Sequence, residues 1–177
     1  GTSHGKRVQA AGGAKNYIVV MPDATDHFLD RATQALVEAS FGCAGERCMS
    51  GSTAIAVGAA GEKLVPALAE AAKSMRVGPT DPELQAGEVH MGPVITREHQ
   101  TRVESLIDAG STASAGGKLA HDGRGLRIDL APDGFYVGPT VVDHVAPDNR
   151  LMQEEVFGPV LSVMRTDDLE AAIAQAN

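Results

Sequence analysis

Residues 17–57 read YIVVMPDATDHFLDRATQALVEASFGCAGERCMSGSTAIAV. Tyr17 to Met21 is a continuous apolar run between Asn16 and Pro22, which predicts a β-strand buried on both faces. Asp23 or Thr25 offers a cap for the helix that follows, on which Phe28, Leu29, Ala32, Leu36 and Ala39 recur at helical spacing as far as Gly42. A Gly-rich connection then leads to Thr53–Val57, a second β-like run. Strand, helix and strand in one short stretch predict a parallel pair joined by a crossover helix.

The alternation continues outward from this unit. Leu64, Val65, Leu68, Ala72 and Met75 form one helical stripe after Gly61. From Gly78 to Pro93 the residues Pro79, Asp81, Pro82, Gly87 and Gly92 break any regular element and predict a long loop. Thr96 caps a helix carrying Val103, Leu106 and Ile107, with Gly110 placed to end it. Residues 111–138 are rich in Gly and polar groups; the alternating piece Leu126–Leu130 suggests a hairpin-like excursion. Thr140–Val145 and Val160–Met164 read as further strands, and Leu169, Ala172, Ile173 and Ala176 as the apolar stripe of a last helix. The expected fold class is α/β, a mostly parallel sheet flanked by helices on both faces.

Composition narrows the function classes. With 177 residues one compact domain is expected. Lys and Arg total 15 against 23 Asp and Glu, a formal charge of −8 that argues against a phosphate-backbone ligand. Aromatic residues are 3% with no Trp, so stacking platforms for single strands are missing too; no nucleic acid partner is expected. No apolar stretch approaches the ~20 residues that span a bilayer, and no basic-apolar-small signal pattern opens the chain, so a cytoplasmic protein without membrane association is expected. Cys43 and Cys48 have no metal-ligand partners nearby in sequence, so reduced thiols and no metal site are expected. None of the glycines completes G-x-G-x-x-G: Gly123 and Gly125 are followed by Ile128 where the third belongs.

The chemistry-bearing candidate is Phe41-Gly42-Cys43-Ala44-Gly45-Glu46-Arg47-Cys48-Met49-Ser50-Gly51, a connection that can present a thiol in an open pocket. A thiolate is the competent nucleophile, and adjacent Arg47 or backbone N–H groups of a tight turn favour it. The bland reading, that both cysteines are small buried hydrophobes, stays open on this segment alone.

Phe-Gly-x-Ala-Gly-Glu-Arg-Cys-Met at residues 41–49 resembles the nucleophile motif of the aldehyde dehydrogenase superfamily. Gly5–Asn16 followed by Val19–Ala24 resembles the stretch before that cysteine in the CoA-acylating methylmalonate-semialdehyde branch. Glu154-Glu155-Val156-Phe157-Gly158-Pro159-Val160 is similar to the superfamily's Glu-x-Phe-Gly-Pro motif, and Met91–Thr96 lies between the two with family-like spacing. The resemblance covers residues 5–177 and implies the catalytic-domain fold of that family. It makes Cys48 the nucleophile, Glu155 the carboxylate on the nicotinamide-side ribose, Phe157 the ring beside it, and Arg47 a binder of the substrate carboxylate. It implies NAD as cofactor and coenzyme A as acyl acceptor. Without the motif, Glu155 reads as a solvated charge and Arg47 as an ordinary ion-pair partner.

One departure from the family is informative. Hydrolytic members carry Glu-Leu-Gly-Gly-Lys, and aligning the Lys with Lys15 puts Ala11 where their glutamate sits. Ala cannot activate water, whereas CoA brings its own thiol. The expected reaction is oxidation of malonate or methylmalonate semialdehyde through a Cys48 thioester to an acyl-CoA. Other readings are a hydrolytic aldehyde dehydrogenase of another substrate class, a non-catalytic binding or assembly domain with an inert Cys48, and a cysteine hydrolase. Family members are several-fold longer, so the chain is expected to be a truncated nucleophile-bearing domain, residues 5–177, with 1–4 an appended remnant. Its expected partners are the missing cofactor domain, a small semialdehyde substrate and further copies in a homo-oligomeric parent; alone it is expected to be inactive.

Overall fold

The computed structural model describes residues 1–23, 26–81, 83 and 87–177. The cap expected at Thr25 and the loop breaker Pro82 lie outside the described residues. Strand β1 (Tyr17–Val20) leads through α1 (Asp26–Phe41) to β2 (Thr53–Val57), and α2 (Ala60–Ser74) follows. After the long loop come α3 (Arg97–Gly110), β3 (Lys118–His121), β4 (Thr140–Asp143), a single-turn α4 (Arg150–Gln153), β5 (Val160–Thr166) and α5 (Leu169–Ala176). The five strands form one sheet in the order β1-β2-β5-β4-β3. The first four are mutually parallel and β3 runs antiparallel against β4 at the edge. The α/β class and the mostly parallel sheet are therefore as the alternation implies.

Right-handed crossovers fix the layers. Going β1 to β2 and then on to β4 moves along the sheet in one direction, so α1 and α2 share a face and pack on each other. The return from β4 to β5 puts α4 on the opposite face, where α3 packs against it. Ala54, Ile55 and Ala56 of β2 and Val160, Leu161 and Val163 of β5 are buried between the layers. Leu36, Leu64, Leu68, Leu106 and Ile107 close over them from the helices.

Four local expectations need correction. Strand β1 is not buried on both faces: it is an edge strand paired with β2 alone, and Val19 is 37% exposed. Phe28 on α1, with Leu169 and Ile173 on α5, is exposed although each sits on an expected apolar stripe. Leu126–Leu130 forms no strand; the antiparallel edge is Lys118–His121, where Lys118 and Leu119 are both exposed and no alternation of apolar and polar residues marks a buried face. Strand β4 stops at Asp143 because His144 turns to φ 56°, leaving the ladder.

That turn builds an ionic knot at the sheet's carboxyl end. Asp143 accepts from Arg165 Nε at 3.1 Å and Nη2 at 2.8 Å, and from the His144 N–H at 2.8 Å. Glu62 of α2 also binds Arg165. These carboxylates raise the Arg165 pKa further, chiefly through the Asp143 hydrogen bonds. Asp143 is 7% exposed and the Arg165 side chain 22%, so loss of Asp143 leaves a partly buried guanidinium without its main counter-charge. Asp143→Ala is expected to destabilise the fold by about 2–3 kcal/mol, read as a lower urea midpoint with unchanged slope.

Candidate active site

Ligands of open α/β sheets usually gather beyond the carboxyl ends of the strands. Here the candidate residues meet at the opposite end. The segments entering β1, β2 and β5 converge because their strands are neighbours in parallel: Thr53 N donates to Asn16 O at 3.2 Å, and Ser162 N to Ser52 O at 3.0 Å. A small cleft there is lined by Asn16, Gly45, Arg47, Ser50, Glu155 and Phe157. A roomier groove of about 750 Å³ lies between α1, α2 and residues 88–90, away from Cys48 and Glu155.

The nucleophile loop has a definite shape. Where α1 ends, Cys43, Ala44 and Gly45 adopt left-handed φ values of 53°, 54° and 70° in succession. This throws the chain back on itself, and Glu46 N closes the turn on Cys43 O at 3.0 Å. A second turn, Ser50 N to Arg47 O at 3.0 Å, places Cys48 at an exposed tip. Asn16 holds that tip from below: its Nδ2 donates to Cys48 O and to Ser50 O, both at 2.9 Å. The exit is fastened to α1 by Gly51 N to Ala39 O and by the buried Ser40 hydroxyl donating to Gly51 O at 2.6 Å.

Cys43 is also exposed but opens the left-handed turn, outside the Arg47–Ser50 tip. The Arg47 guanidinium lies over Gly42, and its Nη2 donates to Glu38 O at 2.8 Å. It thus satisfies one of the unpaired carbonyls at the α1 terminus while bordering the cleft.

The opposite wall, 154–158, is held largely through carbonyls, with the Val156 side chain buried in the core and Glu154 paired with Arg150. Lys15 Nζ donates to Leu151 O at 2.6 Å and Glu154 O at 2.7 Å. Burial lowers the Lys15 pKa, opposed by the nearby Glu155 carboxylate. Arg102 of α3 donates to Glu155 O and Val156 O, both at 2.8 Å. His99, one turn earlier on the same helical face, lies 2.6 Å from Phe157 O through Nε2. Buried Asn149 caps α4 and ties it to α3 through Gly110 O. Phe157 itself sits at φ 53° with its ring partly exposed, edge-on to His99.

Glu155 is half-buried, and its carboxylate stands near Gly13. A carboxylate beside an accessible aromatic ring fits one edge of a bound nucleoside, accepting from ribose hydroxyls. Cys48, Arg47, Glu155 and Phe157, singled out in the sequence, therefore border one end of the sheet. Asn16, Lys15, His99 and Arg102 were not singled out there as functional. Their signal was faint: Lys15-Asn16 immediately before an apolar run, and two basic residues three apart on the polar side of α3. Among the described residues no group of His, Cys, Asp or Glu is arranged to hold a metal ion. No helix among them is long and apolar enough to cross a membrane.

Comparison with known proteins adds relatives to this geometry. The aldehyde dehydrogenase family model matches residues 1–177. The chain is 46% identical over its whole length to the bovine mitochondrial methylmalonate-semialdehyde/malonate-semialdehyde dehydrogenase [acylating], covering 31% of that protein. It is 42% identical to malonate-semialdehyde dehydrogenase 1 of Oceanobacillus iheyensis, covering 34% of it. The crystal structure of methylmalonate-semialdehyde dehydrogenase from Oceanimonas doudoroffii superposes with a TM-score of 0.88 at 42% identity, over 98% of this chain and 34% of that one. A Sinorhizobium meliloti structure described as a methylmalonate-semialdehyde dehydrogenase complexed with NAD gives 0.87 at 41% identity, over 98% and 34% of the two chains. The chain thus spans about a third of the length of the curated relatives it matches.

Proposed function

The chain belongs to the aldehyde dehydrogenase family, and we propose that it is the nucleophile-bearing part of an NAD-dependent, CoA-acylating dehydrogenase of malonate or methylmalonate semialdehyde. The observation that carries this reading is that Arg47 and Ser50, on either side of Cys48 in its turn, line one cleft with Glu155–Phe157 at the amino ends of β1, β2 and β5.

In this mechanism the Cys48 thiolate adds to the aldehyde carbon, and Asn16 keeps the turn that presents it in place through Cys48 O and Ser50 O. NAD, when bound, supplies the hydride acceptor. Glu155 would hold the nicotinamide-side ribose and Phe157 would flank the ring, on a wall kept still by Lys15, Arg102 and His99. Arg47 would meet the substrate carboxylate, a task suited to a planar guanidinium already anchored through Nη2. The Cys48 thioester left behind is then cleaved by the thiol of coenzyme A, releasing acyl-CoA and the free cysteine.

The choice of CoA over water rests on position 11. Ala11 offers no general base, and Glu46, the carboxylate nearest Cys48 in sequence, is engaged at the start of α3. Its Oε1 accepts from Ile95 N at 3.2 Å and faces His99. The full-length dehydrogenase is therefore expected to form NADH from methylmalonate semialdehyde at least about tenfold faster with CoA than without, by absorbance at 340 nm. Equal turnover without CoA, giving the free acid, would sink the acylating assignment.

Residues 5–177 are the proposed catalytic domain, completed in the parent by a cofactor domain and by further copies in a homo-oligomer. A reducing, aqueous compartment suits the two free cysteines, and we place the parent in the cytoplasm. "Mitochondrial" in the bovine relative's name describes that protein.

A further inference from the structure

The two loops that the proposed mechanism must keep in register come from distant parts of the sequence, and His99 stands between them. Its Nε2 lies 2.6 Å from the Phe157 carbonyl and 3.4 Å from Glu46 Oε1. Phe157 belongs to the cofactor-side segment, and Glu46 lies two residues before the nucleophile. Both oxygens accept only, so Nε2 carries a hydrogen whether the ring is neutral or protonated. The bridge is sheltered: the side chains of His99 and Glu46 are 17% and 15% exposed.

Each end of the bridge is itself fixed. His99 sits in the first turn of α3, where the Thr96 hydroxyl accepts from its backbone N–H at 3.1 Å. The Glu46 carboxylate reaches the same helix start through Ile95 N, the end of a helix that favours negative charge. At the other end, Phe157 has a left-handed backbone that a non-glycine residue keeps only when its surroundings hold it. The His99 hydrogen bond, together with the Arg102 bonds to the two preceding carbonyls, supplies that hold. Beside the bridge the loops touch directly, Gly45 against the backbone of Gly158.

We propose that His99 is a positioning residue that sets the spacing between the Cys48 turn and the Glu155–Phe157 wall by holding Phe157 O while facing the Glu46 carboxylate. This rests on the reading of those segments as nucleophile and cofactor holders. It assigns Glu46, whose place beside the nucleophile invites a general-base role, to the scaffold instead. Misplacement of reacting groups by an ångström costs about a hundredfold in rate, so a residue outside the reacting pair has a measurable kinetic role here.

The test has two arms. In the first, hydrogen exchange is followed by mass spectrometry on the chain as wild type, His99→Ala and His99→Gln, the amide of Gln standing in for the Nε2 donor. His99→Ala is expected to speed exchange about tenfold or more in both 43–50 and 155–158, with β4 and α5 unchanged, and His99→Gln to restore both. Glu46→Ala, which leaves the imidazole in place, is expected to loosen the same two segments and keeps the test decisive if His99→Ala fails to fold. Loosening confined to 155–158, no change in either loop, or a Gln variant no better than Ala overturns the proposal.

The second arm uses the full-length dehydrogenase. There His99→Ala is expected to lower kcat about a hundredfold with the aldehyde KM within a few-fold, and His99→Gln to recover most of the rate. Absence of exchange coupling in an enzyme that makes acyl-CoA overturns the role of His99 and leaves the dehydrogenase reading intact. Coupled loops in a protein that never reduces NAD overturn the dehydrogenase reading and, with it, the catalytic meaning of the bridge.

Discussion

Cys48→Ser in the full-length dehydrogenase is expected to cut NADH formation by at least about a thousandfold, because a hydroxyl is far less ionised and less nucleophilic than a thiol at neutral pH. The substitution changes one atom at an exposed turn tip. The backbone anchors of that tip, Asn16 on Cys48 O and Ser50 O, do not involve the sulfur. Stability should therefore stay within about 0.5 kcal/mol of wild type, as for other surface substitutions. The matched control is Cys43→Ser, also exposed and equally conservative, which should retain activity within about twofold. If both variants lose activity alike, the turn rather than the thiol of Cys48 is at stake. If neither does, Cys48 is not the nucleophile. Alkylation with iodoacetamide, resolved by peptide mass spectrometry, gives an independent reading without cofactor or substrate.

The largest structural effect is expected at Gly45. A Cβ there would lie 2.1 Å from Gly158 O and 2.4 Å from Gly158 C, both backbone atoms that no rotamer change can move. Its φ of 70° adds a left-handed penalty of about 1 kcal/mol for alanine. Separation of the two backbones adds overpacking strain of about 1–3 kcal/mol, so Gly45→Ala should destabilise by roughly 3 kcal/mol. In a chain of this size that lowers Tm by about 6–12 °C, measurable by calorimetry. Gly125→Ala separates the two contributions: φ there is 69° but nothing lies within 4 Å of the added carbon. It should cost only about 1 kcal/mol. Equal losses at both positions would show that the close approach of the two loops contributes little.

The sheet was legible wherever burial imposed a period. Leu64, Val65, Leu68 and Ala72 mark α2 without ambiguity, and Thr53–Val57 is buried at every position. Strand β1 was found but its surroundings were misjudged, since five apolar residues in a row do not distinguish a central strand from an edge whose partner lies on one side only. Strand β3 escaped because Lys118 and Leu119 are exposed, so pairing rather than packing defines it. Single-turn α4 is too short to show a period; its definition comes from the Asn149 side chain.

The site divides along the same line. Cys48, Arg47, Glu155 and Phe157 lie in motifs that are contiguous in sequence, so a family resemblance carries them. Asn16, Lys15, His99 and Arg102 act on carbonyls 32 to 139 residues away. A carbonyl has no residue-type signature, and neither propensity nor spacing singles out the donor that will reach it. Glu46 shows the converse: its proximity to Cys48 in sequence suggests chemistry, while its contacts tie it to the start of α3.

That reliance on carbonyls has a consequence for redesign. Every residue carries a carbonyl, so Lys15, Arg102 and His99 would grip 154–157 whatever side chains stood at 155 and 157, with Val156 kept in the core. If Glu155 and Phe157 hold the nucleotide as proposed, both can be varied in a library to favour a different one without dismantling the support beneath them. Support and display would then be separate layers of one short segment, and only the second needs to be rewritten.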